Sequence, residues 1–326
     1  HNVSILHNGN YITDLPTGGE WPTKATSDPN SNRTFVTNLH KLSNSEQTTT
    51  QLSLFQNTTL VTSYDQFFEG HTPLYNPTND YLYVTDLGQN IRIFDASDMS
   101  LQYLTDISMD DGIKGWITAI TYDPNSGLVF AASWSNGEIY VIQDTTLLAI
   151  LQTDTWGPAG LAVDPINKQL YVTGQEVQNR PPNYPNNNVS IFATEAPFPK
   201  IRSFAIAEQS TAIAYDPIGG YIYIINPDDS NVSIFQNTQL IQTMPLNAFP
   251  NSIKVHPQTG YAFITSLTSH NIIILKNGQL VTTIPSQGIG PISVDFDTTN
   301  NYVYVANRGT ETSQFKCDNA SVTILR

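Results

Sequence analysis

Charge is scarce in this chain, and positive charge is the scarcer kind. Only 13% of the residues are charged, and 28 Asp and Glu outnumber 14 Lys and Arg, which leaves a net charge of −14 at pH 7. Binding of nucleic acid depends on clustered Lys and Arg that neutralise phosphates. The balance therefore argues against a nucleic-acid partner, and the polar surface is expected to consist of Asn, Gln, Ser, Thr and Tyr.

Cysteine is nearly absent, and the sequence has neither long apolar runs nor a helical periodicity. The one cysteine, Cys317, has no second cysteine with which to form an internal disulfide, so a free thiol, an intermolecular partner and a buried thiol all stay open. No apolar run approaches the roughly 20 residues of a membrane-spanning helix. No basic segment followed by an apolar one opens the sequence, as a secretory signal would. We therefore expect no membrane span and almost no helix.

What the chain has instead is a repeat. A short apolar strand pattern ends in a tight turn, and a strand of alternating aromatic and aliphatic residues follows it. Successive turns lie 48, 47, 41, 52, 40 and 41 residues apart. The turn residues are Asp28, Asn76, Asp123, Asp164, Asp216, His256 and Asp297. His256 stands where most other units have Asp, so turn formation explains it better than metal binding does.

Each unit predicts four short strands. A period of about 40 to 50 residues is typical of propeller blades. Seven four-stranded sheets laid flat would expose many edges, whereas radial closure buries their faces. The sequence therefore predicts an all-β fold, a seven-bladed β-propeller of four-stranded antiparallel blades in a single domain over 1–326. A linear stack of repeats is disfavoured because it would need polar units at its ends.

The two ends of the sequence carry partial units. The segment from Asn10 to Leu15 reads as a fourth strand, and we expect it to complete the last blade and close the ring. One third-strand pattern is then left over. It is expected either to rearrange locally or to pair with another molecule at an open edge, which would allow self-association.

The second strands carry a recognisable motif. Tyr83-Val84-Thr85-Asp86, Tyr171-Val172-Thr173-Gly174 and Tyr304-Val305-Ala306-Asn307 resemble the YVTN repeat, as do the Asn-Val-Ser-Ile strands that begin at Asn188 and Asn231. The YVTN-repeat family consists of seven-bladed propellers of archaeal surface layers and bacterial periplasms. The resemblance implies an extracellular or cell-surface protein, a non-catalytic scaffold or binding module that self-assembles. The motif residues of that family are structural, so the resemblance assigns no catalytic residue.

The expected binding face is the one that carries the long loops, at about 39–50, 175–187 and 308–318. Function is usually carried on such loops. An aromatic and polar face suits a protein or glycan partner, although tryptophans that fill space between blades are the more ordinary interpretation. The residues assigned to this face are Trp21, Trp116, Trp134, Trp156 and Arg308.

Six positions match the acceptor pattern for N-glycosylation, which requires a secreted chain. Chance accounts for about that many matches in a sequence so rich in Asn, Ser and Thr. The low-charge surface nevertheless fits an exterior glycoprotein, and an intact mass above 36.0 kDa would support occupancy. The candidate positions are Asn2, Asn32, Asn57, Asn188, Asn231 and Asn319.

Signals for metals and catalysis are weak. The six histidines show no ligand spacing, and Asp110-Asp111-Gly112 hints at Ca²⁺ without the spacing of an EF-hand loop. We therefore expect no metal site, no cofactor beyond that hint, and no catalytic residue. The alternative is an enzyme or enzyme subunit, similar to propeller lactonases or redox-complex propellers, with a site at the central channel mouth. Its acid–base groups would be Asp65, Asp86, Glu176 and Arg308.

Overall fold

A computed structural model describes most of the chain. The described residues are 2–7, 10–16, 21–28, 31, 33–41, 48–56, 59–67, 70–86, 90–108, 116–134, 137–155, 157–175, 188–206, 210–297, 302–307, 310–313, 316–318 and 321–325. All regular structure in these ranges is β-strand, as the sequence predicts. They contain no helix that is long and apolar enough to cross a membrane. The chain forms two compact units, His1–Thr153 and Asp154–Arg326, and the expectation of one domain stays a prediction.

The first unit contains one hairpin and three four-stranded antiparallel sheets. The sheets follow chain order: β3 to β6, β7 to β10 and β11 to β14, preceded by the β1–β2 hairpin. The strands are β1 (Asn2–His7), β2 (Asn10–Pro16), β3 (Trp21–Asp28), β4 (Arg33–Lys41), β5 (Thr48–Gln56), β6 (Thr59–Phe67), β7 (Gly70–Asn76), β8 (Tyr81–Asp86), β9 (Asn90–Asp95), β10 (Gln102–Ser108), β11 (Ile117–Tyr122), β12 (Val129–Ser133), β13 (Glu138–Gln143) and β14 (Thr146–Gln152).

The second unit repeats the plan. Three four-stranded sheets, β15 to β18, β19 to β22 and β23 to β26, are followed by the three-stranded sheet β27–β28–β31 and the β29–β30 hairpin. The strands are β15 (Gly157–Asp164), β16 (Gln169–Gln175), β17 (Asn188–Ala193), β18 (Lys200–Ala205), β19 (Ala212–Tyr215), β20 (Tyr221–Asn226), β21 (Asn231–Gln236), β22 (Gln239–Pro245), β23 (Pro250–Val255), β24 (Tyr261–Ser266), β25 (Asn271–Lys276), β26 (Gln279–Pro285), β27 (Pro291–Asp297), β28 (Tyr302–Asn307), β29 (Thr310–Ser313), β30 (Lys316–Asp318) and β31 (Ser321–Leu325).

The core lies between neighbouring sheets of each unit. Second and third strands supply most of it: every residue of β12 is buried, and Tyr83 and Tyr223 are fully enclosed. First strands of successive sheets pack side by side, β3 with β7 and β7 with β11 in one unit, and β15, β19, β23 and β27 in turn in the other. Fourth strands are the most exposed, as in β26. This order explains why strands two and three are continuously apolar, since both of their faces are covered.

The last sheet has three described strands, and the C-terminal end of the chain supplies the third of them. Strand β31 takes the third-strand position and pairs antiparallel with β28, with Val303 opposite Leu325. Strand β2, which contains Asn10 to Leu15, pairs with β1, with Ser4 opposite Asp14. The leftover third strand is thus paired locally, one of the two outcomes expected for it. Ring closure by the N-terminal region stays a prediction.

The turn between first and second strands explains the repeated Asp. Its side-chain oxygen accepts a hydrogen bond from the backbone N–H two residues later, at 3.0 Å for Asp123, 3.0 Å for Asp164 and 2.9 Å for Asp216. Asn76 does the same at 3.1 Å, and His256 uses Nδ1 as the acceptor at 3.3 Å. The side chain thus satisfies a backbone donor in a buried turn. These contacts support the interpretation of His256 as a turn residue.

Candidate functional site

The two ends of each sheet differ in what they carry. The hairpin turns between strands one and two and between strands three and four lie at one end, which we call the turn end. The connections between strands two and three and between successive sheets lie at the other, which we call the loop end. In the first unit the long insertion at 39–50 extends a strand pair, with Leu39 opposite Thr50 and Lys41 opposite Thr48. Segments 42–47 and 176–187 lie outside the described residues.

A β-bulge marks the loop end of most first strands. The pairing shifts between Pro22 and Lys24, and between Gly70 and Thr72, and again at the same repeat position in four further sheets. The Thr of the second-strand motif stands opposite: Thr37 Oγ1 donates to the carbonyl of Lys24 at 3.2 Å, and Thr85 Oγ1 accepts from Thr72 N at 3.1 Å. The motif Thr therefore satisfies backbone groups that the bulge removes from the ladder.

Two predicted site residues meet at the loop end of the sheet β11 to β14. Trp116 precedes β11 and Trp134 follows β12, and their rings stack with centroids 5.8 Å apart and planes 10° from parallel. Trp134 N donates to the carbonyl of Trp116 at 2.9 Å, which extends the ladder by one pair. Trp116 remains 53% exposed, whereas Trp134 is half-buried. The backbone pairing thus holds a stacked aromatic pair at the surface in a defined orientation.

Polar groups border this pair on one side. Glu138 begins β13 directly opposite Ser133, the residue before Trp134. Its carboxylate accepts a hydrogen bond of 2.9 Å from the hydroxyl of Tyr140. Gly137, at φ +67°, accepts from the Thr153 hydroxyl at 2.7 Å. Between residues 116 and 153 the sequence has no Lys or Arg, and Glu138 carries a negative charge at this end of the sheet.

The other predicted binding-face residues are placed less completely. Trp21 lies in β3 with its backbone opposite Leu39. Trp156 and Arg308 lie outside the described residues. The structure therefore brings together two of the five residues, Trp116 and Trp134, and the remaining assignments stay predictions.

Of the four residues proposed as acid–base groups, Asp86 is the one whose side-chain contacts are described. Its carboxylate accepts hydrogen bonds from the backbone N–H of Asn90 at 2.6 Å and from the Asn90 amide at 2.8 Å. Asp86 therefore holds the loop end of its sheet. Asp65 is described only as part of β6, and Glu176 and Arg308 lie outside the described residues.

Sequence analysis missed one titratable side chain at this end. Lys24 follows the bulge of β3 and is exposed, yet surrounding protein desolvates its ammonium group and lowers its pKa below the ordinary range. The signal that could have marked it is a single basic residue in the first strand of a unit, within a segment that otherwise has no Lys or Arg.

Two glycosylation candidates have described side chains. Asn188 is buried, and Asn231 is half-buried with its Oδ1 accepting from the Asn226 amide at 2.6 Å. Ser210 donates to the same Asn226 at 2.6 Å, so this loop end is a closed polar network. Asn2 is described only as part of β1, and Asn32, Asn57 and Asn319 lie outside the described residues. Glycan occupancy stays a prediction.

The described residues give little support to a metal site or to a reactive thiol. No group of three or more His, Cys, Asp or Glu that could hold a metal ion occurs within the described ranges. The Ca²⁺ candidate at 110–112 lies outside them. Cys317 lies in β30, where its backbone pairs with Glu311.

Comparison with known proteins places the chain by fold. No protein-family model matches it, and no curated protein sequence matches it. A hydrazine synthase chain from Kuenenia stuttgartiensis matches with a TM-score of 0.68 and 18% identity over 98% of this chain and 99% of that one. NirN, a dihydro-heme d1 dehydrogenase solved in complex with DHE, matches with a TM-score of 0.68 and 10% identity over 97% of this chain and 68% of that one.

A third match is BBS1N, solved in complex with ARL6DN. It has a TM-score of 0.67 and 11% identity over 94% of this chain and 92% of that one. All three are β-propeller proteins, so the likeness confirms the propeller fold at the level of architecture. It leaves membership of the YVTN-repeat family a prediction.

The comparisons correct one functional expectation. Sequence analysis favoured a non-catalytic surface scaffold, and that prediction is wrong, because the structural neighbours include enzymes, a hydrazine synthase and a dihydro-heme d1 dehydrogenase. The error arose because the cell-surface scaffold role of the YVTN-repeat family was assigned to this chain from motif residues that only build strands. The alternative, an enzyme or enzyme subunit, stays a prediction.

Proposed function

We propose that this chain is an enzyme or an enzyme subunit whose site lies at the loop ends of its sheets, around the mouth of the central channel. The observation that carries the proposal is its likeness to a hydrazine synthase chain over nearly the full length of both. The likeness to a dehydrogenase adds to it and favours redox chemistry over lactone hydrolysis. A subunit role also leaves room for protein partners, as in the BBS1N complex.

The loop ends supply groups suited to such a site. The Trp116–Trp134 pair offers an aromatic surface, and the Lys24 amine has a lowered pKa. Glu138 contributes a carboxylate beside the pair. Rigid strands and bulges hold these side chains, and preorganised groups are what an active site requires. Trp21, Trp156 and Arg308 belong to the same proposed face.

We further propose that the fold is a seven-bladed propeller of the YVTN-repeat type. Six four-stranded sheets are described, and β27–β28–β31 would be the seventh, completed by the N-terminal strand region. The YVTN-like motif supports an extracellular or cell-surface location. An experimental structure of the whole chain with a different number of sheets would overturn the blade count.

Turnover assays test the proposed function. The full chain, with any subunit that remains bound, is assayed for reduction of artificial electron acceptors, with hydrazine or glucose supplied as the electron donor and a blank without protein, and for lactone hydrolysis. We expect turnover in the first assay, and we expect Trp116→Ala to lower kcat/KM at least tenfold. Tyr103→Ala is the control, because Tyr103 is equally exposed but lies on the fourth strand β10. Absence of turnover in both assays, or equal loss in both variants, would contradict the proposal.

A further inference from the structure

The Trp116–Trp134 pair differs from Tyr103, the other exposed aromatic side chain among the described residues of the first unit. Tyr103 is 52% exposed, but the Arg92 guanidinium lies 5.6 Å from its ring centroid, and Phe94 packs edge-on against it at 6.0 Å. Trp116 is 53% exposed, and the described residues place one ring, that of Trp134, against it. No Lys or Arg of the described residues stands over it. Trp116 is thus stacked on Trp134 on one side, and more than half of it stays exposed.

We propose that the Trp116–Trp134 pair is the binding platform for a neutral sugar ring. The inference deepens the proposed function, on which it rests for placing the pair in the site, by naming uncharged carbohydrate as the substrate class. The C–H groups on one face of a pyranose carry slight positive charge, and the faces of an indole ring carry the negative part of its quadrupole. A sugar ring therefore stacks flat on tryptophan while its hydroxyl groups point outward.

The charge near the pair narrows the choice of ligand. Glu138 begins β13 at the loop end of this sheet, whereas Asp123 and Asp144 lie in the turns at its opposite end. An anionic ligand at the pair would meet repulsion from Glu138, and no strand of this sheet contains a Lys or Arg to offset it. Glu138 lies opposite Ser133 on the next strand, and its carboxylate, which accepts from the Tyr140 hydroxyl, is of a kind that also accepts hydrogen bonds from sugar hydroxyls. Neutral carbohydrate therefore fits better than a phosphorylated or acidic one.

Rigidity strengthens the case. The Trp134 N–H bond to the Trp116 carbonyl fixes both backbones, and Trp134 is half-buried beneath its partner. A ring that is already oriented loses little conformational entropy when it binds. A tryptophan present only to fill space would lie mainly inside the fold, whereas more than half of Trp116 is outside it.

Tryptophan fluorescence of the full chain tests the proposal. The probes are neutral tetrasaccharides of glucose, mannose and N-acetylglucosamine, together with tetramethylammonium as a cation that aromatic faces also attract. We expect a saturable fluorescence change with at least one tetrasaccharide, and at least tenfold weaker binding for Trp116→Ala by calorimetry. Tyr103→Ala should bind as the unchanged protein does. Trp116→Phe, which keeps a smaller ring, should give intermediate affinity and guards against misfolding of the alanine variant.

Three results would overturn the inference: no saturable binding of any tetrasaccharide, binding of tetramethylammonium alone, or sugar binding that neither Trp116 variant weakens. Failure of the proposed function is distinguishable. If turnover persists on a non-carbohydrate substrate and no sugar binds, the sugar platform is wrong while the enzyme proposal stands. If sugar binds at Trp116 without turnover in any assay, the platform stands and the enzyme proposal fails.

Discussion

The turn ends of the sheets repeat one solution, whereas the loop ends diverge. At the turn end a side chain accepts a hydrogen bond from the backbone N–H two residues later. The acceptor is a carboxylate in Asp123, Asp164 and Asp216, an amide oxygen in Asn76 and a ring nitrogen in His256. The loop ends carry instead a stacked tryptophan pair, an Asp86–Asn90 cap and the Asn226 network. The difference indicates that turn ends hold the repeats together and that loop ends are where the sheets are specialised.

The first sheet departs from this rule at its turn end. Asp28 pairs with Arg33 at 2.7 Å, and both side chains are almost fully buried. Arg33 also donates to the carbonyls of Ala96 and Asp98 in the next sheet, and its guanidinium lies 5.7 Å from the Tyr75 ring centroid. Arg33 thus links its sheet to the next one. In the following sheet Asn76 makes the corresponding link, because its side-chain amide donates to the carbonyl of Gly127 at 2.8 Å.

The largest predicted effect follows from removal of Arg33 from its buried pair with Asp28. Arg33→Met removes the cation and leaves the Asp28 carboxylate buried without its partner, so we expect a loss of about 3–5 kcal/mol in the free energy of unfolding. Urea denaturation measures it. Arg92→Met is the matched control, because the Arg92–Asp106 pair at 2.7 Å is about one-quarter exposed and should be worth about 1 kcal/mol or less. Equal losses in the two variants would contradict the special role of Arg33.

A smaller effect is expected where tyrosines link neighbouring sheets at the turn ends. The hydroxyl of Tyr223 accepts from Gly278 N at 3.1 Å, and that of Tyr83 donates to the carbonyl of Asp144 at 2.9 Å. Tyr223→Phe leaves a buried N–H without its acceptor, and we expect a loss of about 1–3 kcal/mol. Tyr103→Phe changes an exposed ring, and its loss in the free energy of unfolding should be a few tenths of that of Tyr223→Phe. A Tyr223→Phe variant as stable as the unchanged protein would show that the link contributes nothing.

The same tyrosines predict the alkaline limit of stability. Burial, the largest cause, raises the pKa of Tyr83 and of Tyr223 to about 12. Unfolded tyrosine ionises near 10, so the native state holds its proton more tightly. The resulting stability is complete below pH 10 and is lost between about pH 10 and pH 12. Tyr223→Phe should make the free energy of unfolding fall less over that range, as denaturation at several pH values would reveal.

The smallest effect concerns the turn that His256 forms between β23 and β24. Burial lowers the pKa of His256, so the unfolded state binds a proton more readily than the native state does. The stability contributed by the neutral ring is present above pH 6.5 and declines as the pH falls below it. His256→Asn keeps the acceptor without the titration, and we expect a flatter stability profile between pH 7 and pH 5. An unchanged slope would mean that other groups cause the acid loss.

Sequence patterns predicted the strands and the turns well because both depend on neighbours along the chain. The alternation of β8 and β24 and the Asp turns are local features, and four-stranded sheets follow from them. Completion of the last sheet by β31, with β2 paired to β1, was not predictable in this way, because two third-strand patterns competed for one place and only packing chooses between them. The functional error had another cause, since a structural motif carries no information about chemistry.

The repeat, the four strands of the six sheets from β3 to β26 and the residues of the turns follow from the sequence, because periodicity and side-chain-to-backbone hydrogen bonds act over a few residues. Only the tertiary structure decided that Trp116 and Trp134 stack, that Arg33 reaches Ala96 and Asp98, and that Tyr223 meets Gly278. These contacts join residues 18 to 65 positions apart, and no local pattern specifies which side chains meet once the sheets have packed.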